Sequence, residues 1–304
     1  MNKIEFGDCR ETMRRWASEG VKVQTCVTSP PYFGLRDYGH DGQIGLEETP
    51  EEYIAAMVEV FSCVKNILAD DGTLWLNIGD SYAGNNSQAS NNGWAGFGKP
   101  RERVVNLTGE GLKTKDLIGI PWMLAFALRA DGWYLRQDII WHKPNPMPES
   151  VTDRCTKAHE YIFLMSKSPK YYYDHESIKE MANSKSEGIR FGGNKYGDDD
   201  DPKYATKSGN VSKEYEKANK RSVWTVSTKP YEGANFAVFP TDLIEPCILA
   251  GAPVGGVVLD PFMGSGTTAQ VAQSLNRQYL GCELNPEYAP LQKKRLAQQS
   301  LILE

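Results

Sequence analysis

Residues 256–268 read GVVLDPFMGSGTT, and this stretch carries the clearest fold signal in the chain. Its first four residues are typical of a buried strand, because β-branched side chains suit a pleated sheet. Gly264 and Gly266 then make a turn in which the backbone can approach a ligand closely, at the start of a helix that runs to about Leu275. A strand, a glycine turn and a helix in this order predict one unit of a parallel α/β sheet.

The same alternation of strands and helices extends along the rest of the chain. Apolar and β-branched runs predict strands, and apolar residues at helical spacing predict helices. A helix start at Pro50 is indicated by Thr49 as its cap and Glu52 as the partner in a capping box, and Gly72 is predicted to end that helix. The predicted strands are residues 3–6, 21–27, 73–78, 133–141, 160–166, 256–259 and 278–282, and the other predicted helices are residues 9–18, 116–130, 241–249 and 286–299. This order predicts a Rossmann-like α/β fold with a mostly parallel sheet and helices on both faces.

Length and composition narrow the class of protein. A chain of 304 residues can bury a large core, as one domain or as a domain with an insertion. It contains no run of eighteen apolar residues and no signal-peptide pattern, so we expect a cytoplasmic protein without a membrane partner. Its six cysteines form no C-x-x-C pair, and its four histidines are not spaced with them as a zinc site requires, so we predict no metal site.

Two segments interrupt the alternation of strands and helices. Residues 83–115 are rich in Gly, Asn and Ser and predict a long loop insertion. Residues 171–229 are polar and lysine-rich, and between residues 202 and 229 seven Lys or Arg residues stand against two Glu, a local excess of +5 in a chain of net charge −5. We therefore predict a catalytic core formed by residues 1–170 and 230–304, with residues 171–229 as an inserted module.

Two carboxylates mark the ends of neighbouring predicted strands. Asp260 precedes the glycine turn, where an acid suits a cationic ligand such as an amino-acid ammonium group. Glu283 ends the next strand, about 20 residues further on, where a carboxylate can bridge both hydroxyls of a ribose. Because no Gly-Lys-Ser/Thr follows the turn, P-loop chemistry is excluded, and the third glycine of a nicotinamide site is missing. A ligand with an ammonium group, a ribose and an adenine fits this pair: S-adenosylmethionine.

A second motif, SPPY at residues 29–32, follows the predicted strand 21–27 after Thr28. Each proline moves the residue before it out of the helical region and lacks an N–H, so the motif predicts a stiff, extended turn. The Ser29 hydroxyl and the Pro30 carbonyl can accept hydrogen bonds from the two N–H groups of a planar amine, and Tyr32 can stack on its face. The motif therefore predicts capture of a flat group that bears an NH2.

Together, SPPY at residues 29–32 and DPFMGSGTT at residues 260–268 resemble the catalytic and cofactor motifs of DNA amino-methyltransferases. Their order, with the catalytic motif first, is similar to that of the permuted β class, and the resemblance covers nearly the whole chain. It implies a Rossmann-like sheet of the S-adenosylmethionine-dependent methyltransferase type, in which residues 171–229 take the place of the target-recognition region. It also implies restriction–modification, with double-stranded DNA, a second copy of the chain and a cognate restriction endonuclease as partners, and a nucleoid-associated location.

The resemblance assigns roles to individual residues. The implied catalytic residues are Ser29, Pro30, Pro31 and Tyr32. In the cofactor site that the resemblance implies, Glu283 holds the ribose, Asp8 approaches the adenine and the segment 236–240 meets the methionine part. The implied cofactor-binding residues are Asp8, Phe236, Pro240, Asp260, Pro261, Phe262, Gly264, Ser265, Gly266, Thr267 and Glu283. Independently of the resemblance, their charge predicts DNA contacts for six cationic residues, with a solvated loop as the alternative: Lys99, Arg101, Arg103, Lys213, Lys220 and Arg221.

The implied reaction is a direct methyl transfer to an exocyclic amine. The target base has to leave the duplex to reach the turn at residues 29–32. Serine at position 29 is commoner among cytosine-N4 enzymes of the family, so cytosine N4 is favoured and adenine N6 is the alternative. Asp80 either lines this pocket or is a turn aspartate, and for His142 and Lys143 a structural or DNA-backbone role is favoured over that of a general base.

Three other classes of protein fit the sequence less well. A methyltransferase of a protein glutamine amide would meet a similar planar NH2, but that interpretation gives no reason for the basic insertion. A non-catalytic nucleic-acid-binding protein would not need Asp260 and Glu283 around a glycine turn. An oxidoreductase lacks the third glycine.

Overall fold

The structure is a computed structural model that describes residues 1–35, 39–84, 111–182, 216–229 and 239–297, and the backbone of the last helix to residue 300. Ten strands and six α-helices are assigned within these residues. In the first half of the chain they are β1 (Asn2–Phe6), α1 (Cys9–Ser18), β2 (Val23–Thr28), α2 (Pro50–Ile67), β3 (Leu68–Ile78), α3 (Ile120–Ala130), β4 (Tyr134–His142) and β5 (His159–Ser166).

The second half of the chain contains three short strands and then resumes the regular alternation. These elements are β6 (Glu180–Met181), β7 (Lys217–Ala218), β8 (Val223–Thr225), α4 (Thr241–Gly251), β9 (Val257–Asp260), α5 (Thr267–Ser274), β10 (Gln278–Glu283), a 3-10 turn (Pro286–Tyr288) and α6 (Ala289–Ser300). No helix among the described residues is long and apolar enough to cross a membrane.

Eight of the strands form one sheet in the order β1-β10-β9-β2-β3-β5-β4-β8. Seven of them run in one direction, and β5 alone pairs antiparallel with both of its neighbours, β3 and β4. The predicted α/β fold with a mostly parallel sheet is therefore confirmed. The reversal of β5 has a consequence for the site, because the start of β5 lies at the edge where the other strands end.

The alternating faces of β3 explain how the two layers of helices are held. Leu74 and Leu76 are fully buried in the core that also contains the inner faces of α1, α2 and α3. Thr73 and Trp75 point to the opposite face, where the C-terminus of α4 packs so closely that a Cβ on Gly251 would lie 2.8 Å from Trp75 Nε1. Side chains that alternate along a strand can bury both faces of a central sheet.

The predicted start of α2 is confirmed, but its predicted end is wrong. Thr49 Oγ1 accepts a hydrogen bond from the Glu52 amide at 3.2 Å, and Glu52 Oε2 accepts one from the Glu48 amide at 3.1 Å. The helix ends at Ile67, and β3 begins at once with Leu68. Gly72 lies inside β3, where a Cβ would be 2.5 Å from Leu68 Cγ, so this glycine serves close packing within the strand.

The helix predicted over residues 116–130 begins only at Ile120. Asp80 causes the difference, because its carboxylate accepts hydrogen bonds from the amides of Gly119 and Ile120 at 3.0–3.1 Å. A carboxylate that accepts from the first amides of a helix fixes the helix start. Asp80 therefore has a structural role at the N-terminus of α3, and its place in the catalytic pocket stays a prediction.

The chain divides into two compact units, residues 1–174 with 221–304, and residues 175–220. Within the second unit, β6 and β7 form an antiparallel pair. In the first unit, β8 pairs with β4, so residues 223–225 belong to the main sheet. The role of residues 171–229 in target recognition stays a prediction.

Candidate active site

Adjacent parallel strands bring the two sequence motifs to the same edge of the sheet. β2 pairs with β9, with Thr25 opposite Val258 and Cys26 opposite Leu259. The motif at residues 29–32 follows the end of β2, and the glycine turn follows the end of β9. Since the carboxyl ends of parallel strands meet at one edge, segments more than 200 residues apart in sequence share one site.

The Asp260 carboxylate connects these two segments directly. It is 1% exposed and accepts hydrogen bonds from Thr28 Oγ1 and Thr268 Oγ1, both at 2.6 Å, and from the Phe262 amide at 3.0 Å. Burial raises the pKa of Asp260 to about 6, although these hydrogen bonds act in the opposite direction. All three donors are protein groups, so Asp260 organises the site, and its contact with a ligand ammonium group stays a prediction.

The glycine turn is held by residues of β10 and α6. Gly264 and Gly266 have φ angles of 52° and 90°, in the left-handed region that favours glycine. The Gly264 amide donates to Glu283 Oε2 at 2.7 Å, and its carbonyl accepts from Gln292 Nε2 at 2.7 Å. Gln292 is a supporting residue that no sequence pattern predicted, since its position in a C-terminal helix carries no local signal.

Glu283 lies at the end of β10 with both carboxylate oxygens in use. Oε2 accepts from Gly264, and Oε1 accepts from the Asn285 amide at 2.8 Å. Burial raises the pKa of Glu283 above its ordinary value. Each carboxylate oxygen can accept a second hydrogen bond, so the arrangement is suited to a pair of ribose hydroxyls.

Ser265, in the same turn, has a hydroxyl oxygen without a hydrogen-bond partner among the described residues, although the residue is only 4% exposed. A buried polar atom is normally satisfied, and an unsatisfied one in a turn at a helix N-terminus indicates a ligand contact. The neighbouring Thr267 hydroxyl accepts a hydrogen bond from Arg295 Nη1 of α6. These residues therefore fit a polar ligand at the start of α5.

Asp8 caps α1 and is already paired. Its carboxylate accepts from the Arg10 amide at 2.7 Å and from the Arg10 guanidinium at 2.6–3.2 Å. The hydrogen bonds from the Arg10 guanidinium, and to a lesser extent the one from the Arg10 amide, lower the pKa of Asp8 below its ordinary value. The approach of Asp8 to an adenine ring stays a prediction, and the structure adds Arg10 as a neighbour of that position.

The turn at residues 29–32 is fixed from several sides. Pro30 is buried, and the Pro31 carbonyl accepts a hydrogen bond from the Tyr53 hydroxyl of α2 at 2.8 Å. The Ser29 hydroxyl donates a hydrogen bond to the Tyr32 hydroxyl at 3.5 Å. The lone pairs of Ser29 thus remain available to accept from another group.

The Tyr32 side chain ends in a cluster of polar residues that the sequence patterns did not predict. Its hydroxyl donates to Glu160 Oε2 at 2.7 Å, and Glu160 forms an ion pair with Lys143. Asn77 Nδ2 donates to Glu160 Oε2 at 3.3 Å and to the Tyr161 carbonyl at 3.1 Å. Glu160 reaches this edge of the sheet because it lies at the start of the reversed strand β5.

The other predicted site residues divide into described and undescribed ones. Pro261 and Gly266 lie in the glycine turn, and Pro240 is buried immediately before α4. Lys220 is half-buried and Arg221 is exposed. The predictions for Phe236, Lys99, Arg101, Arg103 and Lys213 fall outside the described residues.

Comparison with known proteins identifies the family of the chain. A family model described as DNA methylase, of the N6/N4 methyltransferase type, matches residues 23–294. This chain belongs to that family. It is 51% identical over 300 residues to the type II methyltransferase M.SmaI of Serratia marcescens, covering 97% of this chain and 90% of the relative. It is 48% identical over 297 residues to the type II methyltransferase M.Cfr9I of Citrobacter freundii, covering 95% and 86%.

Solved structures of DNA methyltransferases share the fold of this methyltransferase. The PvuII DNA methyltransferase, a cytosine-N4-specific enzyme, superposes with a TM-score of 0.63 at 18% identity, covering 97% of this chain and 86% of that one. The M1.HpyAVI complex with S-adenosylmethionine superposes with a TM-score of 0.56 at 19% identity, covering 97% and 100%. These structures share the fold of the chain, while the family match identifies it as a DNA amino-methyltransferase. The names of its relatives support DNA methylation in a restriction–modification context.

The buried Asp260 carboxyl should make the stability of this methyltransferase depend on pH. Its pKa is ordinarily 3.8 and rises to about 6 in the fold, so between these values the folded form keeps a proton that the unfolded chain has lost. The contribution of Asp260 to stability therefore falls as pH rises through this window, by roughly 3 kcal/mol at most, and is constant above about pH 6.

Asp260→Asn removes this titration. We expect the free energy of unfolding of the wild type, minus that of the variant, to decrease from about pH 4 to about pH 6.5. Urea denaturation at a series of pH values measures this difference. A difference that stays constant across the window would show that the Asp260 carboxyl does not titrate as its burial requires.

Proposed function

We propose that this methyltransferase methylates the N4 amino group of a cytosine that is flipped out of double-stranded DNA, with adenine N6 as the alternative. The observation that carries the proposal is the hydrogen bond between Thr28 and Asp260, which holds the turn at residues 29–32 beside the glycine turn. An amine held by the first turn then lies next to a cofactor held by the second.

The residues of the chain hold and orient the reacting groups. S-adenosylmethionine, when bound, supplies a methyl group on a positively charged sulfur. The Ser29 hydroxyl and the Pro30 carbonyl each accept a hydrogen bond from one N–H group of the target amine. This arrangement favours a pyramidal nitrogen and concentrates its lone pair. Tyr32 stacks on the ring of the base. Catalysis is then mainly positioning, which can contribute roughly 7–11 kcal/mol at best.

The preference for cytosine rests on Ser29. Serine at this position resembles the cytosine-N4 members of the family, whereas many adenine-N6 members have Asp or Asn. The cytosine-N4 specificity of the PvuII enzyme agrees with this preference, but at 18% identity that likeness concerns the fold alone. A base analysis of the product therefore has to distinguish the two amines.

The proposed partners follow from the DNA reaction. Lys220 and Arg221, which lie in the lysine-rich stretch between residues 202 and 229, support a role of this region in DNA contact and target recognition. The names of the relatives as type II methyltransferases favour a cognate restriction endonuclease as a functional partner. A homodimer is proposed by analogy with the family.

Mass spectrometry of nucleosides tests the proposed reaction. Unmethylated plasmid DNA is incubated with the purified protein and S-adenosylmethionine, digested to nucleosides and analysed. We expect N4-methylcytosine. N6-methyladenine would support the alternative and overturn the assignment to cytosine, and the absence of any methylated base would overturn the proposal as a whole.

Replacing Tyr32 by Ala tests the role of its ring. Loss of stacking on a flipped base is worth roughly 1–3 kcal/mol, so we expect methylation of DNA to fall by about fivefold to 150-fold. Binding of S-adenosylmethionine, measured by calorimetry, should not change. An unaffected rate of methylation would refute the assignment of Tyr32.

Replacing Ser265 by Ala tests the cofactor contact inferred from its unpartnered hydroxyl. Because this hydroxyl has no partner among the described residues, its removal should leave the unfolding temperature of the free protein unchanged or slightly higher. The dissociation constant for S-adenosylmethionine should rise about fivefold to tenfold, since one hydrogen bond is lost. Unchanged affinity would exclude the contact.

Ala272→Gly is a matched control for this measurement. Ala272 is buried in the same helix, α5, but lies beyond its first turn. This variant should lower the unfolding temperature without affecting cofactor affinity. The opposite pattern is expected of Ser265→Ala, which separates a ligand contact from a packing effect.

A further inference from the structure

The proposed function uses the ring of Tyr32 but gives no role to the polar cluster at the end of that ring. The cluster consists of Glu160, Lys143 and Asn77. The side chains of Glu160 and Lys143 are 15% and 18% exposed, and Asn77 is 4% exposed. A buried ion pair is weak evidence of stabilisation, because apolar residues of similar volume often serve the fold as well. A reason other than stability is therefore needed.

The hydrogen bond from Tyr32 to Glu160 is of the strong kind. A hydroxyl that donates to a carboxylate at 2.7 Å makes a short, charge-assisted bond with a defined direction. Burial first, and then the neighbouring Glu160 carboxylate, raise the pKa of Tyr32 well above its ordinary value, so the phenol keeps the proton it donates. The far end of the ring is thus fixed in position.

The edge of the ring is fixed as well. A Cβ on Gly79 would lie 2.6 Å from Tyr32 Cε2 and 3.4 Å from Glu160 Cδ, so the absence of a side chain at position 79 makes room for the ring. At the near end, the Tyr53 hydroxyl holds the Pro31 carbonyl. The ring is therefore constrained at its base, its edge and its hydroxyl.

Glu160 is itself held from two neighbouring strands. Lys143, which follows β4, pairs with its other oxygen and lies 4.2 Å from the centre of the Trp141 ring. Asn77, from β3, donates to the same oxygen that accepts from Tyr32. A carboxylate with contacts to both neighbouring strands has little freedom to rotate, so it can direct the Tyr32 hydroxyl.

We infer that Glu160 is a positioning residue, which holds the Tyr32 ring in the orientation required to stack on the flipped base. The inference rests on the proposed function of Tyr32. A ring that is oriented before the base arrives loses less conformational entropy on stacking. A freely rotating Tyr32 would leave the target amine less often in line with the methyl donor.

Two conservative substitutions test this inference. Tyr32→Phe keeps the ring and removes the hydroxyl, and Glu160→Gln keeps the shape and removes the charge. For each variant and for the double variant, the single-turnover rate of methyl transfer is measured at saturating S-adenosylmethionine. The substrate is the unmethylated plasmid DNA that the wild type methylates. Affinity for S-adenosylmethionine and the unfolding temperature are measured in parallel.

We expect each single variant to transfer the methyl group about tenfold more slowly, with cofactor affinity unchanged. Because both substitutions break the same hydrogen bond, the double variant should be no slower than the slower single variant, within about twofold. Glu5→Gln is the matched control. Glu5, in β1, is a partly buried carboxylate that pairs with Lys3 and with Arg15 of α1, and its replacement should leave the transfer rate unchanged.

Wild-type rates in both single variants would overturn the inference, and so would a double variant whose losses multiply. If Glu160→Gln does not fold, Tyr32→Phe leaves the ion pair intact and decides the question alone. Tyr32→Ala distinguishes the two proposals. If Tyr32→Ala is slowed as predicted while Tyr32→Phe and Glu160→Gln keep the wild-type rate, only the role of Glu160 fails. A wild-type rate in Tyr32→Ala removes the proposed function of the ring itself.

Discussion

The buried carboxylate of Asp260 is the constraint on which the site depends. It accepts one hydrogen bond from Thr28 in β2, one from Thr268 in α5 and one from the Phe262 amide in the turn between β9 and α5. Burial of a carboxylate is unfavourable unless it is hydrogen-bonded, and the three donors compensate for much of that cost. The carboxylate therefore fixes the distance between the catalytic turn and the cofactor turn more strictly than apolar packing would.

The parallel sheet makes the order of the two motifs along the chain unimportant for the geometry of the site. β2 and β9 are neighbours in the sheet, although the residues that join their ends are 232 positions apart in sequence. What matters is that both strands run in the same direction, so that both turns emerge at the same edge. A chain with the catalytic motif first can thus build the same site as one with the opposite order.

The reversed strand β5 adds a different kind of residue to that edge. Parallel strands contribute the residues that follow them, whereas β5 contributes the residues at its start. Glu160 therefore meets Tyr32 and Asn77, which come from the ends of β2 and β3. One antiparallel strand in an otherwise parallel sheet thus places a carboxylate behind the catalytic turn.

The sequence alone determined the fold class, the two motifs and the family, because these depend on local patterns: β-branched runs, the glycine turn, the Ser-Pro-Pro turn and the capping box at Thr49 and Glu52. Only the tertiary structure decided where α2 ends and where α3 begins. Gly72 lies inside a strand and packs against Leu68, and Asp80 caps a helix 40 residues away. It also decided the roles of Glu160 and Gln292. Their partners lie far away in sequence, and a contact between distant segments leaves no periodic or compositional signal in either of them.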